Sequence, residues 1–184
     1  MLNLLHVLPA LADEKKGVAN AIIEINSGTI NKYELITETG QLKLDRVGYS
    51  SLAYPFAYGA LPQTWDSDND PLDICIANVM EPLVPGCVVE ARVIGIMKFI
   101  DGDEVDDKVI AVLADDRRSD HIESIDDLGE QFKKETTYYW ERYKDLKGKQ
   151  STTVPKGFFD KKEALKVIKE CQERYKKDYT PRLE

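Results

Sequence analysis

Short apolar runs with the spacing of β-strands occupy the first two thirds of the chain. Residues 32–36 and 42–47 alternate polar and apolar positions, the pattern of half-buried strands, and Thr39-Gly40-Gln41 between them favours a hairpin turn. The runs 18–25, 73–79, 87–99 and 108–113 are richer in β-branched residues, and Gly95 predicts a bend or bulge in the third of them. Several short strands at close spacing are typical of a small barrel.

The last third of the chain changes to the helical period. One apolar stripe, which Gly148 ends, consists of Leu128, Phe132, Tyr139, Tyr143 and Leu146. A second stripe consists of Ala164, Ile168, Cys171 and Tyr175, and before it Asp160 and Glu163 are spaced like a capping box. We therefore predict a mainly β protein with α: one domain over residues 1–184, a β-barrel with two C-terminal helices packed on it.

Composition excludes some classes of function. The chain has 184 residues and a formal net charge of -8, whereas nucleic-acid binding usually needs a basic face. No run reaches the roughly 18–20 apolar residues of a membrane span, and residues 1–10 lack the basic start of a signal peptide, so we predict that they dock on the domain. Cys75, Cys87 and Cys171 lie far apart, which predicts buried thiols in a reducing compartment, the cytoplasm.

An acidic loop, Asp66-Ser67-Asp68-Asn69-Asp70-Pro71-Leu72-Asp73, precedes one predicted strand. It starts like a calcium-binding EF-hand, but Pro71 stands where that loop needs Gly and Ala77 where it needs Glu. In an extended backbone Asp68 and Asp70 would point the same way, and Asp73 opens the next strand. Three carboxylates converging on one hard cation suit Mg²⁺, which takes few protein ligands and keeps several waters.

A second acidic loop, Asp101-Gly102-Asp103-Glu104-Val105-Asp106-Asp107-Lys108, also joins two predicted strands. A hairpin here would bring Asp101 and Asp106 to the same end of the barrel as the first loop. Either loop alone is a weak signal, and the two together predict a metal site.

Donors suited to phosphate oxygens accompany these acids. Taken singly, each is an ordinary surface lysine, core tyrosine or helix-end lysine. They are Lys32, Arg46, Lys108, the phenols Tyr54 and Tyr58, and the pair Tyr143-Lys144.

With these residues assembled, the chain resembles the soluble inorganic pyrophosphatases of family I over roughly residues 22–146. The most specific piece is Asp68-Asn69-Asp70-Pro71-Leu72-Asp73, which fits the family signature D-x-D-P-x-D. The other matches follow in order: Ile23-Glu24-Ile25, Lys32-Tyr33-Glu34, Asp45-Arg46, Tyr54-Pro55 with Tyr58-Gly59, Asp101 with Asp106 and Lys108, and Tyr143-Lys144-Asp145-Leu146.

The resemblance implies an OB-like five-stranded barrel that hydrolyses pyrophosphate to two phosphates with three to four Mg²⁺ ions per site. It implies that Asp70 is the general base beside the attacking water, in a catalytic set with Tyr58, Arg46 and Lys32. The implied metal ligands are Asp68, Asp73, Asp106, Asp101, Glu34 and Glu24, with Asp73 bridging two ions. The implied phosphate-binding set is Lys32, Arg46, Tyr58, Lys108, Tyr143 and Lys144, with Tyr54 as a supporting phenol.

The chain also departs from the family pattern. Residues 154–159 stand where the family often has Gly-Trp, and Tyr138 and Arg142 stand where bacterial hexamers often carry histidines. By analogy we expect a homo-hexamer with a different interface. Three alternatives stay open: a metal-dependent phosphatase acting on organic phosphates, a non-catalytic OB-like module that binds nucleic acid or protein, and a calcium-stabilised structural domain.

Overall fold

The computed structural model describes residues 2–148 and 153–179. The helices among these residues are Leu4–Val7 (α1), Gly129–Arg142 (α2) and Lys161–Arg174 (α3), the last continued by a π-helical turn at Tyr175–Tyr179. The strands are Leu11–Asp13 (β1), Val18–Ile25 (β2), Asn31–Leu35 (β3), Leu42–Val47 (β4), Ala57–Ala60 (β5), Asp73–Ala77 (β6), Val88–Asp101 (β7), Glu104–Val105 (β8), Lys108–Leu113 (β9) and Thr153–Asp160 (β10). Within the described part of the chain, no helix is long and apolar enough to cross a membrane.

Five strands close into a barrel in the order β2-β5-β6-β9-β7, because β7 pairs with both β9 and β2. The pairing of β6 with β9 is parallel, and the other four are antiparallel. The long strand β7 bends at a register shift between Val93 and Gly95. A Cβ on Gly95 would lie 2.3 Å from Ile125 Cδ1 and 2.4 Å from the Phe159 carbonyl oxygen, so only glycine fits there. The predicted five-stranded barrel and its bend are confirmed.

Four strands of this sheet were not predicted from the apolar pattern: the short β1 and β8, and the strands β5 and β10. β5 is only four residues long and has no β-branched residue. A Cβ on Gly59 would lie 2.0 Å from the Ile22 carbonyl oxygen, so close pairing with β2 requires glycine in place of a strand-forming residue. β10 contains Pro155 and Gly157 with a register shift between them, and it lies at the edge of the sheet, where proline is tolerated.

The core forms on both faces of the barrel strands. In β6, Ile74 and Ile76 pack in one cluster with Ile168 and Cys171 of α3. On the other face Cys75 packs in a cluster with residues of α2, including Tyr139 and Trp140. Strands buried on both faces read as near-continuous apolar runs, which is why β2, β6 and β9 were visible in the sequence.

Both C-terminal helices pack on the barrel as predicted, with one correction. All four residues of the second stripe are buried, and the Asp160 carboxylate caps α3 by accepting a hydrogen bond from the Glu163 backbone N at 2.9 Å. In the first stripe Leu146 is 68% exposed, so its core assignment was wrong. The reason is that α2 ends at Arg142 and a 3₁₀ turn, Asp145–Lys147, rotates the chain before Gly148.

The start of the chain docks as predicted, since Leu5 of α1 is 2% exposed and packs with Ile22 and Ala60. The three cysteines are free thiols: Cys75 and Cys171 are buried, but Cys87 is only half-buried, which corrects the prediction for that residue.

Candidate active site

All of the residues predicted for the site line one cleft of about 160 Å³. The cleft lies between the strand ends of the barrel, the β3–β4 hairpin and the C-terminal end of α2. The predicted residues in its wall are Glu24, Lys32, Glu34, Arg46, Tyr54, Tyr58, Asp68, Asp70, Asp73, Asp101, Asp106, Lys108, Tyr143 and Lys144.

The first acidic loop forms a tight turn rather than an extended strand edge. The Asp66 backbone N donates to the Asp70 carbonyl oxygen at 2.7 Å, and Asn69 adopts a left-handed conformation with φ of 65°. Asparagine tolerates this conformation better than most residues. The prediction of an extended backbone from Asp68 to Asp70 was therefore wrong at Asn69, although the turn still brings both carboxylates to the cleft.

Parallel pairing of β6 and β9 joins the two acidic loops. Asp73 begins β6, Lys108 begins β9, and the two residues are register partners. The β7–β8 hairpin, in which Asp101 pairs with Glu104, returns the chain so that Asp106 reaches the same end of the barrel. The predicted meeting of the two loops is confirmed.

Lys108 is the most enclosed charged group in this wall. Its side chain is 1% exposed, and its ammonium donates to Asp73 Oδ2 at 2.5 Å and to Asp106 Oδ1. Burial alone would lower the pKa of Lys108, but the charges of Asp106 and Asp73 outweigh this effect and raise the pKa well above its usual value. The side chain is thus a fixed cation between two carboxylates.

Aromatic rings surround the same ammonium, and two of them, Phe99 and Trp140, were not predicted at the site. Lys108 Nζ lies 5.2 Å from the centre of the Trp140 ring, 5.4 Å from Phe99 and 5.8 Å from Tyr58, within cation–π range. Trp140 also lines the cleft. Its position one helical turn before Tyr143 and Lys144 was the available signal, since residues three and four apart share a helix face.

The β3–β4 hairpin supplies the second wall of the cleft. Lys32 and Arg46 are register partners across the hairpin, and the Lys32 ammonium donates to Glu34 Oε1. The buried Glu24 carboxylate of β2 holds the hairpin to the barrel by accepting from the Leu35 backbone N at 2.8 Å. Burial raises the pKa of Glu24 to about 8.

The end of α2 supplies a third group of donors. The Tyr143 hydroxyl donates to Asp101 Oδ2 at 3.5 Å, and the Lys144 ammonium donates to the same oxygen.

Burial, followed by the charges of Asp73 and Asp106, raises the pKa of Tyr58 well above its usual value. This phenol therefore stays protonated at neutral pH and can donate a hydrogen bond. Tyr54 is buried beside it, with ring centres 5.7 Å apart.

The carboxylates crowd one another enough to disturb their ionisation. Loss of solvent and the charges of Asp106 and Asp73 raise the pKa of Asp68 to about 8. Loss of solvent and the charges of Asp73 and Glu34 raise the pKa of Asp70 to about 7. Burial alone would raise the pKa of Asp106, but the Lys108 ammonium outweighs this effect and lowers the pKa. A cation placed among these groups would relieve the repulsion between them.

The donor set fits a hard divalent ion, because it consists of carboxylate oxygens. As the side chains stand, however, no three Asp, Glu, His or Cys groups of residues 2–148 and 153–179 form a ready cage for an ion. The ammonium groups of Lys32, Lys108 and Lys144 lie against the carboxylates instead. These ammonium groups partly neutralise the carboxylates of the cleft.

Comparisons with known proteins agree on one family. A family model described as inorganic pyrophosphatase matches residues 21–176. An inorganic pyrophosphatase of Geobacillus stearothermophilus is 45% identical over 166 residues, covering 90% of this chain and 98% of the relative. The crystal structure of an inorganic pyrophosphatase from Neisseria gonorrhoeae matches with a TM-score of 0.88 and 39% identity, covering 94% of this chain and 99% of that one. The crystal structure of the inorganic pyrophosphatase from Thermus thermophilus matches with a TM-score of 0.87 and 40% identity. This match covers 95% of this chain and 99% of the Thermus chain.

Proposed function

The chain belongs to the inorganic pyrophosphatase family, and on that premise we propose that the acidic and basic cleft hydrolyses pyrophosphate to two phosphates with Mg²⁺ held by its carboxylates. The predicted family, enzyme class and reaction are confirmed by the comparisons. The identity and number of the ions, and the role of each residue, belong to the proposal.

One observation carries the proposal: carboxylates, cationic side chains and phenols from separate parts of the chain meet in a single cleft. A site for a small polyanion that arrives with divalent ions needs both signs of charge at close quarters. Carboxylates hold the ions, and lysine, arginine and phenol groups hold the phosphate oxygens.

The carboxylates best placed to hold the ions are those that crowd one another. Asp68, Asp73 and Asp106 would hold the first ion, and Asp73 would face a second. Asp101, Glu34 and Glu24 would serve ions that arrive with the substrate, directly or through water. When bound, such ions lower the pKa of an attacking water and offset the charge of the substrate. Three to four Mg²⁺ ions per site is our expectation.

The phosphate-binding groups come from three directions. Lys32 and Arg46 reach the cleft from the hairpin, Tyr143 and Lys144 from the end of α2, and Lys108 and Tyr58 from the barrel wall. With ions held by Asp73 and Asp106, the Lys108 ammonium would be free to donate to a phosphate oxygen. Donors fixed in place stabilise charge that develops on the leaving phosphate, which is the main requirement of phosphoryl transfer.

Asp70 is our candidate for the general base. Asp70 is exposed at the rim of the cleft, and loss of solvent at its carboxyl together with neighbouring charges raises its pKa to about 7, close to neutral pH. Near neutral pH about half of such a group is unprotonated, and that form still takes up a proton readily, which is the balance that favours a general base. Asp70 would accept the proton of the water that attacks pyrophosphate.

Assembly and location remain predictions. We propose a homo-hexamer, a cytoplasmic location and a single domain over residues 1–184. Tyr138 and Arg142, which replace the histidines of related hexamers, are both exposed on α2, so they are available for a different contact between subunits.

Organic phosphates fit the cleft less well than pyrophosphate. Among the described residues, the apolar side chains in the wall of the cleft are Leu35, Ala60, Pro71 and Trp140. An organic leaving group would need a larger apolar pocket, of the kind that most binding sites for organic small molecules have. The crowded carboxylates equally disfavour a nucleic-acid backbone.

The direct test is phosphate release from pyrophosphate in millimolar Mg²⁺, beside an EDTA blank and an ATP control. We expect rapid release that requires Mg²⁺ and does not extend to ATP at a similar rate. Mg²⁺-independent release, or equal rates with ATP, would contradict the proposal. Absence of release from a folded sample that binds Mg²⁺ would leave the binding module or the calcium-stabilised domain as the better account.

A further inference from the structure

The first acid of the loop, Asp66, faces away from the cleft that its neighbours line. Its side chain is 5% exposed, and its carboxylate accepts hydrogen bonds from Arg174 Nη2 at 2.6 Å and from the Ser67 backbone N at 2.7 Å. Asp68, Asp70 and Asp73 belong to the cleft wall. Asp66 therefore needs an explanation other than metal binding.

Arg174 donates hydrogen bonds to three consecutive residues, Trp65, Asp66 and Ser67, where the acidic loop begins. It is the last residue of α3, and its Nε donates to the Trp65 carbonyl oxygen at 2.9 Å. Its Nη2 donates to Asp66 Oδ1 at 2.6 Å, and its Nη1 to Ser67 Oγ at 3.3 Å. A planar guanidinium presents its donors in a rigid fork, which lysine cannot reproduce. We call this set of contacts the Arg174 fork.

The helix that carries Arg174, α3, is packed into the core and attached to the loop. Ala164, Val167 and Ile168 of α3 are buried in the cluster on one face of the barrel. The Cys171 carbonyl oxygen also accepts from the Trp65 backbone N at 3.0 Å, and Cys171 Sγ lies 3.1 Å from Arg174 Nη2. The loop is thus attached to α3 through both backbone and side chain.

Hydrogen bonds within the turn connect the fork to the cleft. The backbone N of Asp66 donates to the Asp70 carbonyl oxygen at 2.7 Å, and the Asp66 carbonyl oxygen accepts from Asn69 N at 3.2 Å. Asp70 N donates to Asp68 Oδ1 at 3.2 Å. A shift of Asp66 would therefore move Asp68 and Asp70 with it.

We infer that Asp66 and Arg174 are a pair of positioning residues that holds the acidic turn in the shape needed for Asp68 and Asp70 to act. This inference rests on the proposed function, because it takes from it the roles of Asp68 in ion binding and of Asp70 as the base. The pairing also explains why a fourth carboxylate is tolerated in the loop: the guanidinium cancels its charge beside groups that already repel one another.

The variants that test the pair are R174A, R174K, D66N and the double variant D66N/R174A. The matched control is R118A, since the exposed Arg118 forms an ion pair with Asp116, with an N–O distance of 2.8 Å, and neither residue lines the cleft. Three quantities are measured for each protein: amide hydrogen exchange of residues 66–70 without metal, the Kd for Mn²⁺ by electron paramagnetic resonance, and the Mg²⁺ dependence of phosphate release. Thermal unfolding verifies that each variant is folded.

We expect R174A to weaken Mn²⁺ binding about 10-fold, the size of effect that partners of metal ligands commonly have. Exchange in the turn should accelerate about 10-fold, since a charge-assisted hydrogen bond is lost. R174K should fall between R174A and the wild type. D66N/R174A should be no worse than the poorer single variant, because the two residues act as one unit. R118A should match the wild type.

A folded R174A variant with unchanged exchange and unchanged Mn²⁺ affinity would overturn the inference, even if its melting temperature fell. Independent, additive effects of D66N and R174A would overturn it as well. Failure of the proposed function would look different: the wild type itself would release no phosphate from pyrophosphate, while the exchange measurement would still report on the fork.

Discussion

We propose Asp70 as the general base, so replacing it by asparagine should separate proton transfer from metal binding. The turn should survive this change, because residue 70 takes part in it through its backbone: its carbonyl oxygen accepts from Asp66 N at 2.7 Å and its N donates to Asp68 Oδ1 at 3.2 Å. Asparagine has nearly the same shape but cannot accept a proton. The predicted change is therefore in the chemical step.

The expected size of the effect follows from these contacts. A positioned general base contributes about 10²- to 10⁴-fold in rate, which corresponds to about 3–6 kcal/mol at about 1.4 kcal/mol per factor of ten. Asp70 is not among the proposed ion ligands, so we expect its neutralisation to change ion affinity by about 1 kcal/mol or less, roughly fivefold. The loss in kcat should thus exceed the loss in metal affinity by at least about tenfold.

The assay is kcat for phosphate release at saturating Mg²⁺, together with the Kd for Mn²⁺, in D70N and in a control variant, D103N. Asp103 is an exposed acid of the second loop that does not line the cleft, so D103N makes the same chemical change without touching the site. Turnover of D70N within about threefold of the wild type would refute the assignment of Asp70 as the base. A parallel collapse of metal binding would instead assign Asp70 to the ligands.

Three further predictions follow from the same structure. D73N should abolish most turnover and raise the Mg²⁺ requirement, because Asp73 contacts Lys108 at 2.5 Å in the centre of the carboxylate cluster; wild-type Mn²⁺ affinity in D73N would contradict this. G95A should destabilise the barrel by about 1–3 kcal/mol, since its Cβ would meet Ile125 Cδ1 at 2.3 Å, and urea unfolding beside an A12G control at an exposed position measures the cost. Mg²⁺ at about 100 times its Kd should add about 2.7 kcal/mol of stability, about 5–11 °C in Tm for a chain of this size; equal melting with Mg²⁺ and with EDTA would argue against a site for the ion.

The sequence located the strands that are buried on both faces and missed those shaped by contacts. β2 and β9, which are buried on both faces, were predicted with their observed limits. So was β4, whose alternating polar and apolar residues favour a strand although most of them are exposed. β5 could not be predicted in this way, because Gly59 is there for close approach to Ile22, which only the paired structure reveals. Leu146 was misplaced because helical spacing does not indicate where α2 gives way to a 3₁₀ turn.

The cleft residues were predictable because their order along the chain resembles a known pattern. What the pattern could not give is the environment of each group. Lys108 was expected to bind phosphate, and in the structure its ammonium is enclosed by two carboxylates and three rings, including the unpredicted Trp140. The role of Asp66 was equally hidden, since its partner, Arg174, lies 108 residues away.

The central claim is that the carboxylates of the cleft hold the ions that the hydrolysis requires. Anomalous diffraction from crystals grown with Mn²⁺, after Mn²⁺-supported turnover has been shown in solution, tests it most directly. We expect Mn²⁺ peaks in contact with Asp68, Asp73 and Asp106, with the Lys108 ammonium turned away from Asp73 and Asp106. An active enzyme whose Mn²⁺ peaks lie elsewhere, with the Lys108 ammonium still between Asp73 and Asp106, would contradict it.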